Sequence, residues 1–152
     1  MLERNRPLTD AERALAQYLL TNGEPSAATF LEQLPLAEVT PTRCPCGCAS
    51  IDLQIKGHPE APPGVKILGD FLWGPLESPA GVFIYENNGL LSGIEVYGLA
   101  GDAPRFLPRP DELRPFSGDP EGIARGEEAI AAGRTITHDQ AFWRFGKWLR
   151  RR

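Results

Sequence analysis

Apolar and polar residues alternate along this chain with two different periods. Near the N-terminus Ala11, Leu15, Tyr18 and Leu19 recur at i, i+4, i+7 and i+8, the spacing that draws one apolar stripe along a helix. Thr9 followed by Glu12 opens that helix with a capping box, each side chain satisfying a backbone donor that the first turn leaves orphaned. Asn22-Gly23 predicts its left-handed stop. A second, shorter helix is expected from Ser26, with Ala27, Phe30, Leu31 and Leu34 on one face and Pro35 ending it.

The period then changes to two. From Ser50 to Lys56 the alternation is strict, which points Ile51, Leu53 and Ile55 to a core and Asp52, Gln54 and Lys56 to water. Residues 82–85 and 94–99 predict two more strands, and Asn88-Gly89 between them is the favoured chemistry of a two-residue hairpin turn. Weaker strand patterns cover residues 36–40 and 65–68. Residues 57–64 hold three prolines and predict an exposed excursion. Residues 104–115 hold four and predict an extended strap over the body. Beyond Ser117 the helical signals return. Asp119-Pro120 is a cap followed by proline at the first helical position, and Gly133 is a stop. Thr137 with Gln140 is a second capping box opening a last helix from His138 to about Arg151. The expected fold is therefore α+β: two N-terminal helices packed on an antiparallel β-meander, followed by a two-helix C-terminal tail. The expected division is a body over residues 1–116 and a helical partner-binding segment over residues 117–152.

Composition sharpens that division. In residues 1–116 there are 15 acidic and 9 basic side chains, and in residues 117–152 there are 5 acidic and 7 basic. An acidic body thus precedes a mildly basic tail. The net charge of −4 argues against a general affinity for nucleic acid. No apolar run exceeds four residues, so neither a transmembrane helix nor a signal peptide is expected, and the expected compartment is the cytoplasm.

Chemistry concentrates in one place. All three cysteines lie within Cys44-Pro45-Cys46-Gly47-Cys48. An odd count without a signal peptide does not suit a disulfide framework. Clustered thiolates are soft ligands, and Pro and Gly shape a tight chelating loop, so one structural zinc is a candidate cofactor. His58, across the predicted strand, is the candidate fourth ligand to Cys44, Cys46 and Cys48, with Asp52 next. The alternative is a turn whose cysteines pack as small apolar groups, with no cofactor. Two histidines, no phosphate loop and no nucleophile elbow give no positive support for an enzyme.

The stretch from Gly122 through Gly133-Arg134 and Thr137-His138 to Ala141, ending near Trp148-Leu149, resembles the C-terminal toxin-binding segment of bacterial type II antitoxins of the ParD and Phd/YefM kinds. The match covers about 30 residues, a fifth of the chain. The resemblance implies a helix, a Gly-Arg turn, a capped second helix and a protein partner, such as a cognate toxin, that the segment wraps. It carries the turn onto Gly133, Arg134, Thr137 and His138, and the second helix onto Ala141, Phe142 and Trp148. The partner-binding set expected from it and from the helix periodicity is Ile123, Ile130, Arg134, His138, Phe142, Phe145 and Trp148, with aromatic anchors buried in the partner. Those antitoxins begin with a DNA-binding domain that residues 1–116 do not match. The body, with Arg6-Pro7-Leu8-Thr9 and the cysteine run, is instead similar to small uncharacterised bacterial domains sharing a Cys-x-Cys-Gly-Cys feature. The sequence thus points to an antitoxin-like, non-enzymatic interaction protein that makes no direct contact with nucleic acid or membrane. A zinc-binding module is the alternative.

Overall fold

A computed structural model describes residues 4–61, 66–116 and 131–133. The chain divides after Pro115, and the architecture below is that of the first unit. Its elements are β1 (Arg6–Pro7), α1 (Asp10–Thr21), a 3₁₀ segment (Ala27–Leu36), β2 (Ala37–Arg43), β3 (Ile51–Ile55), β4 (Lys66–Trp73), β5 (Ala80–Asn87) and β6 (Leu90–Gly98). A 3₁₀ turn (Pro110–Glu112) and β7 (Arg114–Pro115) complete it.

The seven strands form one antiparallel sheet in the order β1-β2-β3-β6-β5-β4-β7. This corrects the expected meander with two helices on it. β4, β5 and β6 are joined by short hairpins, but β3 pairs with β6, Ile51 opposite Ile94, and not with its successor β4. The outer edge of β4 is taken instead by β7, with Phe71 opposite Pro115, so the expected strap ends as an edge strand. Arg6–Pro7, which has no strand signal of its own, pairs with β2 because a two-residue edge needs only a partner's free backbone groups. The two-helix tail expected over residues 117–152 lies, apart from residues 131–133, outside the described residues. Within that stretch Gly133 has φ +70°, the region a helix stop requires.

The helices differ from expectation too. α1 is capped as anticipated, Glu12 N–H donating to Thr9 Oγ1 at 3.2 Å and Thr9 N–H to Glu12 Oε2 at 2.8 Å. Its buried face is Glu12, Leu15, Ala16, Leu19 and Leu20. Ala11 is exposed, so the stripe is rotated from the one the apolar spacing suggests. Gly23 is not left-handed; its small size is what matters, since a Cβ there would overlap the carbonyls of Leu68 and Leu19. The second helix is 3₁₀, with Pro35 inside it. In an α-helix the Pro35 ring would strike the carbonyl four residues back, and in a segment this short that conflict reaches half its length.

The core lies between α1 and one face of the sheet. Leu15, Leu19, Leu53, Leu68, Val82, Ile84, Leu91, Ile94 and Val96 are all buried in it, and Tyr18 meets Phe71 edge-on at 5.6 Å. Among the described residues no helix is long and apolar enough to cross a membrane.

Candidate metal centre

β2 and β3 are paired antiparallel, Val39 opposite Leu53 and then Arg43 opposite Ile51. Four steps along β2 thus face two along β3, a bulge that bends β2 just before its loop. Residues 44–50 close the hairpin. Pro45 and Cys46 form a turn in which Gly47 N–H donates to Cys44 O at 3.0 Å, with Gly47 at φ +78°. Proline pre-sets the first corner of such a turn, and glycine accepts the left-handed exit. Farther on, Ala49 N–H donates to Pro104 O at 2.9 Å, and Val96 N–H of β6 donates to Ser50 Oγ at 3.1 Å. The loop is therefore held at both the strap and the sheet.

This geometry brings the three thiols together. One sulfur from each of Cys44, Cys46 and Cys48 lies within 4.8 Å of the others, Cys44 and Cys46 being 3.1 Å apart. Three thiolates on a tetrahedral zinc at ~2.3 Å stand ~3.8 Å apart, so small side-chain rotations suffice. The cluster can hold a metal ion. Cys46 is exposed, and Cys44 and Cys48 are half-buried.

The three thiols are not equivalent. Burial, then the hydrogen bond with Cys46, pushes the Cys44 thiol up to about 12. At Cys48 burial is again the largest single influence and acts upward, but hydrogen bonds with the Ser50 side chain and backbone, joined by those with Cys46 and Cys44, together hold the thiol below the ordinary value. The reason is visible in the bonding. The Cys48 thiol donates to Ser50 Oγ at 3.2 Å, an oxygen that also accepts from Val96 N–H, and once the thiol ionises the hydroxyl proton can turn to the sulfur. Cys48 thus ionises more readily than Cys44, where a cation would have to offset the cost of the charge.

Of the other expected ligands, His58 is not brought to the cluster. It follows β3, donating its backbone N–H to Ile55 O at 3.0 Å, whereas the cysteines precede that strand. At ~3.3 Å per residue an extended five-residue strand separates its ends by on the order of 13 Å. Asp52 lies on β3 itself and accepts from the Tyr85 hydroxyl at 3.3 Å. Among the described residues no further histidine, cysteine or carboxylate joins the three sulfurs. The expected partner-binding residues Ile123, Ile130, Arg134, His138, Phe142, Phe145 and Trp148 lie outside the described residues.

Beside the cysteines is a cleft of about 590 Å³, whose lining includes Arg4, Arg6, Thr40, Arg43, Cys44 and Cys48. Sequence reading missed its non-cysteine wall. Arg43, adjacent to Cys44, was within reach of it. Thr40 lies on the same strand, and Arg4 and Arg6 arrive only through the β1–β2 pairing, which no local pattern announces. Comparison with protein-family models, with curated proteins and with solved structures returns no match to this chain.

Proposed function

We propose that this chain is a non-enzymatic, cytoplasmic zinc-binding module in which Cys44, Cys46 and Cys48 hold one ion through three thiolates. The observation that carries the reading is the convergence of three sulfurs within 4.8 Å on a loop held at Ala49 and Ser50 by the strap and the sheet. Thiolates select soft ions, and zinc takes such sets in tetrahedral geometry. Thiolates, not thiols, hold the ion, so binding displaces thiol protons and affinity rises with pH. The antitoxin-like reading of residues 117–152 is a separate proposal that rests on their sequence.

Cobalt(II) titration of the reduced chain tests the site. The expected result is a sulfur-to-metal charge-transfer band that saturates at one equivalent, bleaches when zinc is added, and is lost in Cys44→Ser and Cys48→Ser. His58→Ala should bind with unchanged affinity, because β3 separates the imidazole from the sulfurs. A reduced chain that shows no such band, with a melting temperature indifferent to zinc, overturns the reading and leaves three small apolar groups in a turn.

A further inference from the structure

We infer that the cleft beside the cysteine loop binds a small thiol bearing a carboxylate, its sulfur completing the coordination of the ion and its carboxylate pairing with Arg43 and Arg4. This deepens the zinc reading and rests on it. The first observation is shared lining: Cys44 and Cys48 border the same cleft as Arg4, Arg43 and Thr40. A ligand in the cleft therefore reaches two of the three sulfurs and the cations together.

The second observation concerns charge. Arg6, also in the wall, is committed to Glu12, Nη1 and Nη2 donating to the two carboxylate oxygens at 2.8 Å each. Arg4 and Arg43 have no carboxylate partner among the described residues. Guanidinium groups recognise carboxylates through paired hydrogen bonds. Zinc with three thiolates carries a net charge of about −1, and a fourth thiolate adds another. Two uncommitted arginines offset that increase, which a neutral ligand would not need.

The third observation is Thr40. Its side chain is 7% exposed, yet its hydroxyl is buried without a hydrogen-bond partner. A buried hydroxyl left unpaired is costly, and Thr40 is part of the cleft wall, so a turn about its Cα–Cβ bond gives that proton a carboxylate acceptor. The volume, about 590 Å³, lies within the range of small-molecule sites, roughly 300–1,000 Å³. In the binding step the thiol yields its proton to solvent, a zinc–sulfur bond forms, and a water leaves the fourth position.

The test uses the full chain loaded with cobalt(II). It is titrated with 3-mercaptopropionate, with 2-mercaptoethanol, which lacks the carboxylate, and with propionate, which lacks the thiol. Mercaptopropionate is expected to intensify the sulfur-to-metal band at concentrations at least tenfold below those mercaptoethanol needs. That preference should vanish in Arg4→Glu/Arg43→Glu, both exposed positions, at unchanged cobalt stoichiometry. Thr40→Val should weaken mercaptopropionate several-fold. A cobalt band indifferent to both thiols, or one that responds to them equally, overturns this inference and leaves the zinc reading standing. Propionate competing as well as mercaptopropionate overturns sulfur ligation. Absence of any cobalt band removes the zinc reading and this inference with it.

Discussion

Glu12 shows how much one side chain decides here. Its carboxylate receives the Arg6 guanidinium through two hydrogen bonds and closes the capping box on Thr9 N–H, with only 10% of the side chain exposed. The Arg6 hydrogen bond, working against burial and helped by Thr9, holds its carboxyl below the usual 4.5. A carboxylate whose pKa falls on folding stabilises the fold above its unfolded value and loses that stabilisation as pH drops through the folded one. Glu12→Gln should therefore cost about 1–2 kcal/mol at pH 7, and urea denaturation should show the gap closing as pH falls below 4.5. Asp70 has the opposite sign. Burial raises its pKa despite the Tyr97 hydroxyl donating to it at 2.8 Å. The ionised form is thus disfavoured by folding, and stability is lost as pH rises from 3.8 through the higher folded value. Asp70→Asn keeps an acceptor for Tyr97 without the charge. It should melt at or above the wild-type temperature at pH 7 and lose any advantage near pH 3.5, as calorimetry across that range would show.

At the scale of elements, glycines set the close approaches and tyrosines cover what glycines leave bare. The end of α1 crosses β4 at Gly23 and Gly69, where either Cβ would meet the Leu19 carbonyl, and Glu24 N–H donates to Leu68 O at 2.8 Å across the same crossing. Gly69→Ala should cost about 1–3 kcal/mol by overpacking, read as a lower denaturation midpoint. Gly101→Ala, with nothing within 4 Å, is the control and should stay within about 0.5 kcal/mol. On β5 and β6, Tyr97 lies over Gly81 and Tyr85 over Gly93, each ring crossing one strand to reach an aspartate on the next. The Asn88-Gly89 turn has both residues at positive φ, 51° and 79°, the mirror-image turn that matches strand twist. Gln33 ties the 3₁₀ segment to it, donating to Gly89 O at 2.7 Å and accepting from Leu91 N–H at 2.9 Å.

For the molecule as a whole, the described core is drawn from residues between Leu8 and Leu113. A chain ending at Phe116 should therefore unfold cooperatively, and zinc should raise its melting temperature by as much as it raises that of the full chain under the zinc proposal; a broad, non-cooperative transition in calorimetry would contradict this. Saturation at a hundred times the dissociation constant corresponds to about 2.7 kcal/mol of added stability, which a chelator should remove. What the sequence determined by itself is local: the Thr9–Glu12 box, the β3 alternation, the Asn88-Gly89 hairpin and the cysteine run each depend on neighbours within a few residues. Chain connectivity already places those groups together. Pro35 shows the limit of such reading, since its position predicts that a helix ends there but not that the whole segment winds as 3₁₀. Tertiary structure alone decided the rest. The β4, β5 and β6 hairpins leave an outer edge on both β4 and β6, and only long-range pairing gives that of β6 to β3 and that of β4 to β7. Rotation of α1 brings a charged Glu12 inward because Arg6 arrives from β1 to meet it. Extension of β3 carries His58 away from the sulfurs that sequence proximity had suggested it joins. The cleft that sets Arg4, Thr40 and Arg43 beside the thiols exists because β1 pairs with a bulged β2, and backbone pairing between distant segments leaves no periodic trace in the side chains it brings together.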